Sequence, residues 1–393
     1  MSKDAIQEYI IAIRMRYINA TKKRKKTILD EFCATTKLSR KHAIRLLSGS
    51  LRPNWKPKGP EPKYTREMVV HLVKLWEVMR YMCSRRMKAA LPLWLNYYNA
   101  EGFNEETKRL LTEISASSID RLLKPYRAIR MKGLTSTKPG AFIKSQIPIE
   151  LIDAKIRRPG FVEADTVAHC GNTLEGEFTN SLTITDLFSG WTENRAIWTK
   201  RSELVIDKLK EIRAALPFNL RGFSCDNGSE FINHDLVKYL KEHRDGRVHF
   251  TRRRPYKKND AAHVEQKNDA TVRRLFGYFR VDDPELVNLM NDIYKNYWNP
   301  LINYFCPVMK LKRKIRIGGK LRKFYDNPST PCDRLINSGC LTDMQKQRLI
   351  TTRDGLDPIK LKEGLDKKLQ IYFKKVLDRS KQRVARGDAN DAA

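Results

Sequence analysis

The spacing of apolar positions changes twice along the chain. Within residues 26–48 (KTILDEFCATTKLSRKHAIRLLS) apolar side chains fall at Ile28, Leu29, Phe32 and Cys33, then Leu38, then Ala43, Ile44 and Leu47. That spacing predicts two short helices around a break at Thr35–Lys37, with Ser39 placed to cap the second. Arg40, Lys41 and Arg45 lie on the polar side of the second helix. The pair fits a helix-turn-helix DNA-binding module over 1–51, with an ordinary helical hairpin as the alternative. Four prolines within 52–64 mark a linker. A second helical block follows over 65–131. Its segment SASSIDRLLKPYR (115–127) carries an Ile119–Leu122–Leu123 stripe and presents Arg121, Lys124 and Arg127, as a second recognition helix would. Residues 132–149, rich in Gly, Pro, Ser and Thr, form another linker.

From about 150 the pattern becomes strands alternating with helices, which predicts an α/β core. GFVEADTVAH is a strand. Residues 176–199 read as two antiparallel strands with a turn at Phe188–Gly190, and Trp191 and Trp198 are expected to fill the core around them. Ser202–Ala215 is an amphipathic helix with Leu204, Val205, Leu209 and Ile212 inward. Leu220–Cys225 is a short strand, Asn233–Leu240 a helix, Val248–Thr251 a strand, RRRPYKKND a loop, and Ala261 to about Tyr278 a helix. Beyond 285, residues 309–325 alternate basic and apolar around Gly318–Gly319, as a basic hairpin or part of a small barrel. Amphipathic helix is expected to about Asp378, and disorder from Arg379 onward.

Charge sharpens this picture. The 393 residues carry a net charge of +32. Residues 1–150 hold 31 basic and 13 acidic side chains, 151–280 hold 23 and 18, and 281–393 hold 23 and 14. Basic flanks around a nearly balanced centre suit a polyanion such as DNA, because neutralised phosphates release counterions. An acidic membrane surface is the competing partner, but no lipidation motif, long basic amphipathic helix, signal peptide or membrane-length apolar run favours it. Seven widely spaced cysteines without a Cys-x-x-Cys pair suggest neither a disulfide framework nor a zinc knuckle. A reducing, intracellular setting is expected.

Three carboxylates then stand out. Asp165 lies within the first strand, Asp226 ends the fourth, and Glu265 begins a helix. Taken singly, Asp226-Asn227-Gly228 reads as a turn and Glu265 as a solvated helix face. If the first and fourth strands are neighbours, Asp165 and Asp226 share a cleft that the helix could complete with Glu265. Three such carboxylates repel unless cations lie among them. Mg²⁺ suits an all-oxygen set, and two ions could activate and stabilise the oxygens of an in-line phosphoryl displacement. Glu163, two residues before Asp165, is the alternative ligand, and Glu230 reads as a helix-surface carboxylate. His169 and His263 are either structural or in contact with the site. Lys257, Lys258 and Lys267 flank it, as phosphate contacts or as ordinary surface charge.

The segments EADTVAH, LTITDLFSGWTENRAI, CDNGSEF and RRRPYKKNDAAHVEQKN together resemble the integrase-type catalytic core of DDE transposases, as in bacterial insertion sequences and retroviral integrases. The resemblance covers about 150–285. It implies a ribonuclease-H-like fold, a mixed five-stranded sheet with flanking helices. All-α helix-turn-helix modules would precede it, and a small basic β/α region over 286–393 would follow. It also implies Asp165, Asp226 and Glu265 as a triad binding two Mg²⁺ or Mn²⁺ ions. The implied activity is cleavage and transfer of DNA strands at terminal inverted repeats by a homo-oligomer of at least two protomers. The spacing from Asp226 to Glu265 is slightly longer than is commonest in that family, and Asn259-Asp260-Ala261-Ala262 stands where many members have Asn-Gly. A regulator on an inactive core, or a nuclease without strand transfer, are the alternative functions.

Overall fold

The computed structural model describes residues 3–49, 63–130, 156–225, 234–241, 248–252, 267–317 and 320–385. The chain divides into two units, Met1–Lys63 and Tyr64–Ala393. In the first, α1 (Lys3–Ile18), α2 (Lys22–Thr36) and α3 (Arg40–Ser48) enclose a small core of Ile10, Tyr17, Ile28, Leu29, Phe32, Ala43 and Leu47. The break between α2 and α3 falls at Lys37. Its backbone turns left-handed (φ 59°), and its N–H bonds the Cys33 carbonyl at 3.0 Å. Ser39 holds the N-cap position of α3, but its side chain makes no capping bond. Arg40, Lys41 and Arg45 are exposed, and Arg40 pairs with Asp30.

The second unit begins with α4 (Arg66–Val78), α5 (Ser84–Trp94), α6 (Glu105–Glu113) and α7 (Ala116–Arg130). These helices share one hydrophobic core with the sheet and the C-terminal helices. Trp94 is fully buried and donates its indole N–H to the Phe305 carbonyl at 3.0 Å. Arg86 reaches the Pro307 carbonyl at 2.6 Å. On α7, Ser115 Oγ accepts from the Ser118 N–H, and Arg121 and Lys124 face solvent.

The sheet consists of β1 (Phe161–Ala168), β2 (Asn180–Asp186), β3 (Thr192–Ile197), β4 (Gly222–Cys225) and β5 (His249–Arg252), in the order β3-β2-β1-β4-β5. The first three strands are antiparallel; β4 runs parallel to β1, and β5 parallel to β4. With helices packed on it, this mixed five-stranded sheet fits an α/β ribonuclease-H-like fold. Helix α8 (Ser202–Ala215) buries Val205, Ile206, Leu209 and Ile212, whereas Leu204 is 37% exposed. Leu204 sits one residue, about 100° of helix rotation, outside that stripe. Helix α9 (His234–Lys241) lies between β4 and β5 in the chain. Trp191 is buried as expected, whereas Trp198 is half-buried and donates to Glu177 at 3.0 Å.

Among the described strands β3 is an edge, with no strand to pair with its outward backbone groups at Thr192, Asn194 and Ala196. A long helical run covers it: α10 (Pro284–Asp292), then π turns at Ile293–Trp298 and Leu301–Phe305. Three buried asparagines from this run stand in for the missing strand. Asn303 Nδ2 donates to the Thr192 carbonyl (2.8 Å) while its Oδ1 accepts from the Thr192 N–H (2.9 Å). Asn291 exchanges the same two bonds with Ala196, each 2.9 Å. Asn299 donates to the Asn194 carbonyl (3.3 Å) and to Glu193 (2.9 Å). Edge strands need such protection, and buried amide groups need partners.

His169 follows β1 and is fully buried. Tyr294 donates its hydroxyl to Ser181 Oγ, which lies 2.8 Å from His169 Nε2. Burial, then the nearby Arg273, pushes the imidazole down to about 3. It is therefore a neutral core group.

Beyond the edge cover, β6 (Leu311–Ile317) and β7 (Lys320–Tyr325) form a two-stranded antiparallel hairpin. Its segment 311–325 carries seven basic residues and no acidic one. Ile317, Leu321, Phe324 and Tyr325 are exposed on it. Helices α11 (Pro331–Ile336), α12 (Asp343–Asp354) and α13 (Pro358–Ala385) complete the unit. The expected disorder is corrected for 379–385, where α13 continues to Ala385 with Arg379 bonded to Asp283 at 2.7 Å; residues 386–393 lie outside the described residues. Among the described residues no helix is long and apolar enough to cross a membrane.

Asn303→Leu orphans two buried backbone groups and should destabilise the protein by about 2–5 kcal/mol in urea unfolding. Asn296→Ala removes an exposed bond to Asp292 and should cost less than about 0.5 kcal/mol. A second test concerns His169. Its folded pKa lies below its unfolded value, so its contribution is complete above about pH 6.5 and is lost as pH falls toward 3. Between pH 7 and pH 5 this group alone should remove about 2 kcal/mol, and His169→Gln should abolish that part of the slope. An unchanged slope in the variant would assign the pH dependence to other groups.

Candidate functional site

Asp165 lies at the middle of β1, opposite Thr183 of β2. It is half-buried, while Glu163 on the same strand is 5% exposed. On the other side of β1, the parallel pairing with β4 sets Glu163 against Ser224. The neighbouring first and fourth strands are thus present. Asp226 follows Cys225 directly in sequence and lies outside the described residues, as do Glu230, Lys257, Lys258, His263 and Glu265.

The Asp165 carboxylate is oriented by its surroundings. Oδ1 accepts the Thr166 N–H at 3.0 Å, and Oδ2 accepts from Asn268 Nδ2 at 2.7 Å. Asn268 belongs to the site helix, described from Lys267, with a π turn at Asp269–Arg273 and an α turn at Arg274–Phe276. The Arg274 N–H bonds the Asp269 carbonyl five residues back. This wider turn brings residues five apart onto nearly one face. Asn268 therefore reaches Asp165 while Arg273 donates to the Ala168 carbonyl at 2.9 Å. Thr271 accepts from Asn194 of β3 at 3.3 Å. On its far side the helix is held by Arg80, which donates to the Arg274 carbonyl (3.1 Å) and lies 4.8 Å from the Trp298 ring centre.

Lys267 does not turn its amine outward. Nζ donates to the Gly190 carbonyl at 3.1 Å, and burial, then Arg86, pushes it down to about 8. Lys310, just before the basic hairpin, bonds the Leu187 and Phe188 carbonyls of the same β2–β3 turn. Asp186 holds that turn from inside, accepting from the Ser189 N–H (2.7 Å) and hydroxyl (2.6 Å) and from the Gly160 N–H (2.9 Å). Burial pushes its carboxyl up. Its bonds to Ser189 hold the turn and its bond to Gly160 ties the turn to the start of β1, so Asp186 acts as a turn-former. His169 is occupied by Ser181 inside the core.

Asn268 is the residue that sequence reasoning missed. Its signal is a polar residue three positions after Glu265, on a helix face that must pack against the sheet. Its Oδ1 is buried and has no hydrogen-bond partner among the described residues. A carboxylate and an orphaned amide oxygen side by side make a hard-oxygen environment, which fits a divalent cation such as Mg²⁺. Among the described residues no group of three His, Cys, Asp or Glu could hold a metal ion.

No family model matches the chain. Solved structures similar to part of it include the HTLV-2 integrase catalytic core domain in complex with magnesium, in a dimeric form. That core is 14% identical, and the match covers 38% of this chain and 90% of that one with a TM-score of 0.28. The catalytic core domain of BIV integrase is 22% identical, over 30% of this chain and 70% of that one, with a TM-score of 0.23. Strand order and direction, rather than these similarities, carry the fold. The uncharacterized protein y4rM of Sinorhizobium fredii is 36% identical over 351 residues, which is 85% of this chain and 95% of that protein. The chain therefore belongs to the same family as y4rM.

Proposed function

We propose that this chain is a DNA transposase whose catalytic carboxylates are Asp165, Asp226 and Glu265. The observation that carries the reading is the convergence on Asp165 of the two segments that lead to the other carboxylates. Strand β4 runs beside β1 and ends at Cys225, one Cα step of about 3.8 Å from Asp226. Asn268, hydrogen-bonded to Asp165, follows Glu265 by three residues, a reach of at most about 11 Å. The four sequence segments shared with integrase-type cores and the net charge of +32 support the same conclusion.

Asp165, Asp226 and Glu265 would hold two Mg²⁺ or Mn²⁺ ions, which supply Lewis acidity for in-line displacement at a phosphodiester. Asp165 enters that site already oriented by Thr166 and Asn268. Water would cut the element end to leave a 3′-hydroxyl, and that hydroxyl would attack target DNA. The exposed Arg40, Lys41 and Arg45 on α3, and Arg121 and Lys124 on α7, would contact terminal inverted repeats. The basic hairpin adds phosphate contacts without sequence preference. Lys257 and Lys258 keep their proposed role at the DNA, whereas Lys267 is assigned to holding the β2–β3 turn. Joining two ends requires at least two protomers, acting in the cytoplasm on the nucleoid.

The decisive experiment incubates the full-length protein with Mg²⁺, plasmid, and labelled duplexes from the DNA flanking its gene. Joined product supports the proposal; cutting alone would indicate a nuclease, and binding alone a regulator. Asp165→Asn should lower cleavage and joining at least about 100-fold while leaving end binding intact. Replacing Arg40, Lys41 and Arg45 together with Ala should weaken end binding and flatten its logarithmic salt dependence by about 2–3. Tight, unaltered binding in that triple variant would place end recognition elsewhere.

A further inference from the structure

Asn268 is 8% exposed, and its side chain is used on one side only. Nδ2 donates to the Asp165 carboxylate, while Oδ1 is buried without a partner among the described residues. Exchanging the two amide atoms does not resolve this, because it would set the amide oxygen against a carboxylate oxygen. Among the described residues Asn180, Asn194 and Asn299 Oδ1 are likewise buried without a partner; Asn268 Oδ1 stands beside the Asp165 carboxylate, where a positive or proton-bearing ligand would satisfy both. Among the described residues, Lys267 is committed to the Gly190 carbonyl and Arg273 to the Ala168 carbonyl. The π turn holds the amide in place by fixing Arg273 on β1.

We propose that Asn268 is part of a divalent-cation site anchored by Asp165. Its amide N–H holds the carboxylate in position, and its amide oxygen faces the coordination shell of the ion. This assignment rests on the metal-dependent reading of Asp165 and adds to it a neutral oxygen donor. A neutral donor completes the shell without adding a further negative charge to a carboxylate cluster.

The test is Mn²⁺ binding to the full-length protein without DNA, followed by the electron paramagnetic resonance of free Mn²⁺. Asn268→Leu, which has neither amide atom, should weaken Mn²⁺ binding about 10–100-fold. Asn268→Asp, which keeps an oxygen but loses the N–H, should bind within about threefold of wild type or more tightly. Thermal unfolding in EDTA should show both variants folded; if the Leu variant is not, Asn268→Ala takes its place. Wild-type affinity in the Leu or Ala variant overturns the assignment, with the orphan then satisfied by water alone. Equal loss in the Leu and Asp variants overturns the oxygen role. Asp165→Asn separates the two levels of the argument. Wild-type Mn²⁺ affinity in that variant defeats the metal reading of Asp165 itself, whereas loss there with an unaffected Leu variant defeats only the role of Asn268.

Discussion

An edge strand buried inside a protein is the constraint around which the second unit is arranged. All six residues of β3 are buried, yet among the described strands β3 has a sheet neighbour on one side only. Its outward N–H and C=O groups face a protein interior from which water is excluded. Asn291, Asn299 and Asn303 meet them, and they run antiparallel to the strand, from Ala196 down to Thr192. The match is a matter of pitch. Four residues of strand advance about 13 Å, whereas twelve residues of regular α-helix advance about 18 Å. The π turns shorten the helical run, because a wider turn rises less per residue. Once this run is fixed, Trp298 and Phe305 become the wall against which Arg80 and Trp94 of α4–α7 pack.

The candidate site inherits its order from that arrangement. Asn194 sits on β3 and bonds both Thr183 and Thr271, so the covered edge also touches the site helix. The site helix is thereby tied to three strands or their turns: β3 through Thr271, β1 through Asn268 and Arg273, and the β2–β3 turn through Lys267. Lys310 ties the base of the basic hairpin to the same turn. A proposed phosphate-binding ribbon and a proposed catalytic helix thus share one anchor only a few residues long.

Much of this was legible in the sequence, and the rest failed for identifiable reasons. The stripe of Val205, Leu209 and Ile212 defined α8 to the residue, because a regular period on one buried face leaves little choice. Leu204 was misplaced because apolarity alone does not say which of two adjacent residues faces inward. Asp165 was legible as an acid inside a strand, where propensity disfavours it. Asn268 was not, since its value depends on a π turn and on a partner 103 residues away. The edge cover left a faint signal: asparagines at 291, 299 and 303 among Ile, Tyr, Trp and Leu. Trp198, bonded to Glu177, and the helical residues from Arg379, bonded to the buried Asp283, were misread because their partners lie far away in the sequence.

The π turn at Asp269–Arg273 has a further consequence for how this chain can vary. A π turn is an α-helix with one residue too many for its rise. Substitutions within it change side chains but keep the phase of the helix. Deleting one of residues 269–272 would restore α geometry and leave Asn268 and Arg273 four positions apart, about 40° around the axis, so both side chains could still reach β1. Related chains one residue shorter there could therefore seat a regular α-helix on the same strand.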